Sequence, residues 1–94
     1  MSNTIDKEYE HAPTSKLDYG FDWNLWLAVG ETIATSVWLV DTGLIQSSEG
    51  NVSGVTSVFV AGGVAGTSYK LKNTITTSDG RIDSRTIRLS CKNR

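Results

Sequence analysis

The sequence predicts an all-β domain, an immunoglobulin-like β-sandwich of about seven antiparallel strands with a flexible N-terminal arm. Three observations carry this. Apolar residues recur at every second position in several short runs, and no stretch of ten or more residues keeps a helical period. Gly, Asp, Asn and Ser separate those runs as turn residues. All three tryptophans fall within residues 17–40, together with Tyr19 and Phe21. Each buried aromatic removes about 150–250 Å² from water, so this stretch has to supply the centre of the core.

Residues 1–16 show no hydrophobic pattern and hold the only proline, Pro13. They offer little apolar surface against an ordering cost of about 1–2 kcal/mol per residue. They are expected to form the flexible arm, with 17–94 as the sandwich. From 17 to 23, Leu17, Tyr19, Phe21 and Trp23 alternate with Asp18, Gly20 and Asp22, the period of a strand with one buried face. A second strand follows over 32–40, with Ile33, Val37 and Leu39 on one face and Ala34, Trp38 and Val40 on the other. Gly30-Glu31 marks the turn before it. Asp41-Thr42-Gly43 leads into a short strand at 44–48, and Glu49-Gly50-Asn51 turns again. Residues 55–60 form the next strand, ended by Ala61-Gly62-Gly63-Val64-Ala65-Gly66. That glycine run is not a phosphate cradle, because no Gly-Lys-Ser/Thr closes it and no helix follows; it joins strands.

The clearest strand is 69–77, where Tyr69, Leu71, Asn73 and Ile75 alternate with Lys70, Lys72, Thr74 and Thr76. Ser78-Asp79-Gly80 turns the chain back into a last strand at 81–91. A two-residue loop would pair Leu71 with Arg88 and turn apolar side chains to the wet face. A three-residue loop, with Gly80 in the left-handed region, pairs Leu71 with Ile87 and Tyr69 with Leu89. The second register is expected, and it gathers Lys70, Lys72 and Arg88 into a basic outer stripe.

Ninety-four residues suit one domain, which buries only about 60–65% of its unfolded surface. The single cysteine, Cys91, cannot form an internal disulfide, and one histidine with one thiol does not build a metal site. Oligomerisation or docking on a larger body is left as the source of extra stability. No leader-like or bilayer-length apolar run occurs, so manufacture and assembly in a cytoplasm are expected. Residues 1–68 carry two lysines against eight acids, and 69–94 carry seven basic residues against two acids. This uneven charge suits contact with charged neighbours.

The chemical inventory is thin. His11 lies in the arm, where nothing is expected to hold it, and Cys91 alternates inward with Leu89 as a small core residue. Asp18 and Asp22 share an outward face and, with Glu31 or Asp41, could offer oxygens to Ca²⁺, but such sites show denser Asp/Asn/Gly clusters. Asp83 and Arg85 are expected to form a surface ion pair worth under about 1 kcal/mol. The aromatics and the basic residues occupy different halves of the chain, which is not the layout of a nucleic-acid platform. Trp23 and Trp26 could make a sugar-stacking face; against this, one would fill the core and the other cover an edge. No catalytic, cofactor-binding or metal-binding residue is expected, and no nucleic acid or membrane partner.

Several motifs in succession point to a family. Leu17-Asp18-Tyr19, Asp22-Trp23-Asn24-Leu25-Trp26-Leu27, Gly30-Glu31-Thr32-Ile33 and Ser36-Val37-Trp38-Leu39-Val40 come first. Gly62-Gly63-Val64-Ala65-Gly66-Thr67-Ser68-Tyr69 and Asp79-Gly80-Arg81 follow. Over about residues 16–90 the chain resembles small virion proteins of tailed bacteriophages, often described as fiber-tail adaptors. The resemblance implies a non-enzymatic structural domain of the virion tail, joining tail or portal to fibers or another tail component and present in several copies. Its partners would be other phage structural proteins, with neighbouring copies met through the arm. The alternatives are a capsid decoration protein and a small carbohydrate-binding module.

Overall fold

Tyr19, Phe21 and Trp23, two residues apart, all turn inward, and the two sheets close over them. The structure, a computed structural model, describes residues 5–92. Its strands are β1 (Lys7–His11), β2 (Lys16–Asp22), β3 (Ile33–Val40), β4 (Leu44–Val52), β5 (Val55–Gly62), β6 (Ser68–Thr77) and β7 (Ile82–Cys91). They form a four-stranded sheet in the order β1-β7-β6-β3 and a three-stranded sheet in the order β2-β5-β4. The two pack as a sandwich. Phe21 of β2 stacks on Trp38 of β3 across the gap, with centroids 5.9 Å apart and planes at 10°, and meets Trp23 edge-on at 6.1 Å. Val58, Val60, Leu71, Ile75, Ile87 and Leu89 complete a core without exposed surface.

One polar node sits inside that core. Trp23 Nε1 donates to Thr56 Oγ1 and to Asn73 Oδ1, each at 3.2 Å, and Thr56 Oγ1 donates to Asn73 Oδ1 at 2.6 Å. Asn73 Nδ2 in turn donates to Ser36 Oγ at 2.9 Å and to the Val37 carbonyl at 3.1 Å. The alternation of β6 forces Asn73 inward between Leu71 and Ile75. Its amide therefore ties β3, β5 and β6 to the central indole.

The hairpin of β6 and β7 has the expected register, with Leu71 opposite Ile87, Tyr69 opposite Leu89 and Lys70 opposite Arg88. Gly80 has φ 85°, the left-handed conformation that the three-residue loop requires.

Elsewhere the structure corrects the sequence reading. Residues 1–4 of the expected arm lie outside the described residues, but Lys7–His11 form β1, which runs parallel to β7 from Lys7 opposite Ile87 to His11 opposite Cys91. The strands are therefore not all antiparallel. Tyr9 packs on Tyr19 at 5.4 Å, and His11 is fully buried with Nδ1 2.7 Å from the Tyr19 hydroxyl. Two aromatic contacts and a strand ladder replace the hydrophobic run that the segment lacks. The turn placed at Glu49-Gly50-Asn51 is instead a bulge within β4, where Ser48 takes φ 47° and the pairing with β5 shifts between Ser47 and Gly50. The reversal falls at Ser53-Gly54, both with positive φ.

The expected pair of Asp83 and Arg85 does not form. Asp83 Oδ1 accepts from the Ser84 amide at 2.8 Å, while the Arg85 guanidinium lies 4.1 Å from the Trp23 ring centroid. The indole face offers the cation both a quadrupole and a dry contact, where a carboxylate in water offers little.

Candidate docking surface

Three connections meet at one end of the sandwich: residues 23–32 between β2 and β3, the turn at Ser53-Gly54, and the turn at 78–81. The first is too long to be held by strand pairing, and its own polar groups fix it. The Trp26 and Leu27 amides both donate to the Trp23 carbonyl, at 2.9 and 3.0 Å, and the Glu31 amide donates to the Ala28 carbonyl at 3.0 Å. Asn24 Nδ2 bridges Asp22 Oδ1 at 2.7 Å and the Ser53 carbonyl at 3.0 Å, tying the loop to the neighbouring turn.

Glu31 is the main staple. Its side chain has no exposed surface and accepts from the Ala28 amide (2.8 Å), Thr77 Oγ1 (2.6 Å) and Arg81 Nε (2.9 Å), with a second bond from an Arg81 terminal nitrogen. The fork-on-fork geometry of guanidinium and carboxylate makes this a directional clamp. Arg81 also lies 4.1 Å from the Trp26 ring centroid and donates to the Trp26 carbonyl at 3.3 Å. These bonds hold the Glu31 carboxyl down to a pKa of about 2, Arg81 first, then Thr77 and the Ala28 amide. Asn24 likewise holds the Asp22 carboxyl below its ordinary range.

With its polar groups consumed internally, the loop presents aliphatic side chains. Leu25 and Val29 are fully exposed, at 104% and 107%, and Val52 and Ile82 are mostly exposed at the same end. Single exposed aliphatics are ordinary, but two of them on a stapled loop form a pre-ordered contact. A groove of about 330 Å³ runs beneath, lined by Asn24, Leu27, Ile33, Asn51 and Ser53 around Glu31. Its one carboxylate is committed to Arg81 and cannot serve as a base.

The residues singled out from sequence do not converge. Asp18 stays on the outer face of β2, Asp22 bonds Asn24, Glu31 bonds Arg81, and Asp41 Oδ2 accepts from the Lys70 amide at 2.9 Å. Among the described residues no group of three or more His, Cys, Asp or Glu could hold a metal ion. Trp23 is fully buried and Trp26 packs against the core, each with an arginine over its ring, so the two indoles make no open platform. Cys91 is buried, and burial raises its thiol pKa. In the basic stripe, Arg88 meets Glu8 of β1 at 3.5 Å. Sequence reasoning missed the Arg81–Glu31 clamp, although each residue flanked a turn it had recognised.

The clamp sets an acid limit on stability. Glu31 binds its proton less readily folded than unfolded, so its contribution is complete above pH 4.5 and is lost as pH falls toward 2. His11 adds a separate loss that begins below pH 6.5, since burial lowers its pKa while the nearby Gly62 carbonyl opposes the shift without completing a bond to Nε2. Urea titrations should show the midpoint falling in both windows. Glu31→Gln is expected to flatten only the lower one, and an unchanged slope between pH 4.5 and 2 would refute the assignment.

A family model described as Gp77, podophage GP4 fiber-tail adaptor protein gp77, matches residues 11–90. No curated protein matches the chain.

Proposed function

The chain belongs to the Gp77 family of podophage GP4 fiber-tail adaptors, and from that premise we propose that it acts by mechanical attachment alone, with the 23–32 loop as its grip on another tail component. The adaptor role places it in the virion tail among other tail components and fibers. We read its body as immunoglobulin-like, because β2-β5-β4 against β7-β6-β3 follows the strand order of that sandwich. The body measures 43 × 27 × 20 Å, a spacer with a distinct long axis. Assembly in the host cytoplasm fits a domain whose one thiol is buried in the core.

The observation that carries the docking assignment is the pair of fully exposed aliphatics on a loop whose charges are already spent. A contact that is ordered beforehand loses less entropy on binding. Arg81 is neutralised by Glu31, and the acids Asp79 and Asp83 flank it, so the net charge left around the tip is negative. A partner surface with an apolar pocket and a basic rim would complement it.

Leu25→Asp and Val29→Asp test this directly. Both side chains are solvated, so each variant should melt like the parent, while incorporation into particles falls at least about tenfold, the equivalent of one lost anchor. Normal incorporation of the double variant would remove the loop from the interface. Deleting residues 2–15 is a poorer assay, because it removes β1 and uncovers the pocket around Tyr19 along with any contact the arm makes.

A further inference from the structure

An open sheet edge invites pairing with another chain unless it is charged, bulged or covered. Three of the four edges here are guarded. β1 presents Lys7, Glu8 and Glu10. On β2, the carbonyls of Gly20 and Asp22 accept from Lys7 Nζ at 3.5 Å and from Arg85 at 3.4 Å. β4 interrupts its own edge with the bulge at Ser48 and with Glu49. β3 has such devices only at its start, where the register shifts between Ile33 and Thr35 and Asn51 Nδ2 donates to the Ile33 carbonyl at 3.3 Å; none is found from Thr35 to Val40. Its eight residues include neither charge nor proline, its register is regular from Thr35 to Val40, and β6 occupies only one of its sides. Val37 and Leu39 lie on its outer face, 60% and 69% exposed.

We propose that β3 is the contact between two copies of this chain, paired antiparallel about a two-fold axis at Val37. A two-fold contact makes a strand oppose itself, so the sequence has to be self-complementary. Centred on Val37, the outer face sets Val37 against Val37 and Thr35 against Leu39, and the inner face sets Ser36 against Trp38. Directly opposed side chains share a face, so this register sets Val37 on itself at the axis, flanks it with uncharged pairs of a hydroxyl residue and an apolar one, and meets no charge. It uses only the regular run. A centre at Trp38 would oppose two indoles already committed to their own cores, since Trp38 is 4% exposed. Lys72, opposite Leu39 on β6, stands one strand back from the seam. Across β6, β3 and their counterparts the two Lys72 positions are separated by about 14 Å laterally and about 13 Å along the strands, beyond a screening length of about 8 Å. The partner is thus a second copy rather than a charged strand, and the product is a continuous eight-stranded sheet. This pairing is independent of the adaptor reading, because it is measured without particles.

The test uses cysteine variants of the full chain under mild oxidation, with Cys91 buried and out of reach. Val37→Cys is expected to yield a disulfide dimer. Thr35→Cys mixed with Leu39→Cys should cross-link at least about tenfold more than either variant alone, because their opposed positions come within about 5.5 Å. Ile45→Cys on β4, similarly exposed, should stay monomeric. Light scattering of the parent should show mass rising with concentration from 10.2 kDa toward twice that value. Val37→Lys should abolish the rise without changing the melt. Constant mass up to millimolar concentration overturns the proposal, as does cross-linking of Ile45→Cys at the rate of Val37→Cys. A monomer whose Val37→Lys variant fails to enter particles also overturns it, and would assign the edge to a strand from another virion protein.

Discussion

Alanine at position 23 is expected to cost about 3–5 kcal/mol, the largest loss any single substitution should bring here. Trp23 has no exposed surface, meets Phe21 and Trp26 edge-on, carries Arg85 on its face, and donates its indole proton into the Thr56–Asn73 node. Truncation removes all of these and opens a cavity that neighbouring strands cannot close without breaking their ladders. Domains of this size hold only about 5–15 kcal/mol in total. The variant should therefore show a low urea midpoint or no cooperative transition. Trp23→Phe separates the contributions, since it keeps most of the area and loses the donor, for about 1–3 kcal/mol. If Trp23→Ala were no worse than Trp26→Ala, whose ring is only partly buried, the central role of this indole would be refuted.

The second large effect is expected from Asn73→Leu, at about 2–4 kcal/mol despite similar volume and greater hydrophobicity. Leucine would leave the fully buried Thr56 hydroxyl without its 2.6 Å acceptor and the half-buried Ser36 hydroxyl without its 2.9 Å donor. Buried polar groups that lose a partner bear the full desolvation penalty, while the bond they lost was worth less. Replacing Asn73 and Thr56 together by Leu and Val should recover part of the loss, because two partners then disappear at once. A double variant as unstable as the sum of the single ones would show that the node is not a coupled network.

The two contacts proposed above also rest on these positions. Asn73 anchors β3 through the Val37 carbonyl, and Trp23 is the root of the loop that carries Leu25 and Val29. A buried amide and a buried indole thus fix both elements to the core, in a chain whose single cysteine forms no internal disulfide.

The alternation of Tyr19, Phe21 and Trp23, the pairing of Leu71 with Ile87 and the left-handed Gly80 were all legible in the sequence. Each rests on a period of two or on the geometry of one tight turn, and both are local properties of the chain. The motif series from Leu17 to Arg81 also carried the family. Five residues of β1 were missed because Tyr9 and His11, alternating with Glu8 and Glu10, make too short and polar a pattern to stand apart from a terminus. Their burial depends on Tyr19 and on β7, which only the folded sheet brings alongside. The same holds for Glu31 and Arg81, 50 residues apart, and for Arg85 on Trp23. Which strand edge stays unguarded was likewise decided by the tertiary structure, since Lys7 and Arg85 protect β2 from positions on other strands. Local periodicity sets which residues face inward. Long-range packing decides which polar groups find each other and which apolar ones remain for a partner.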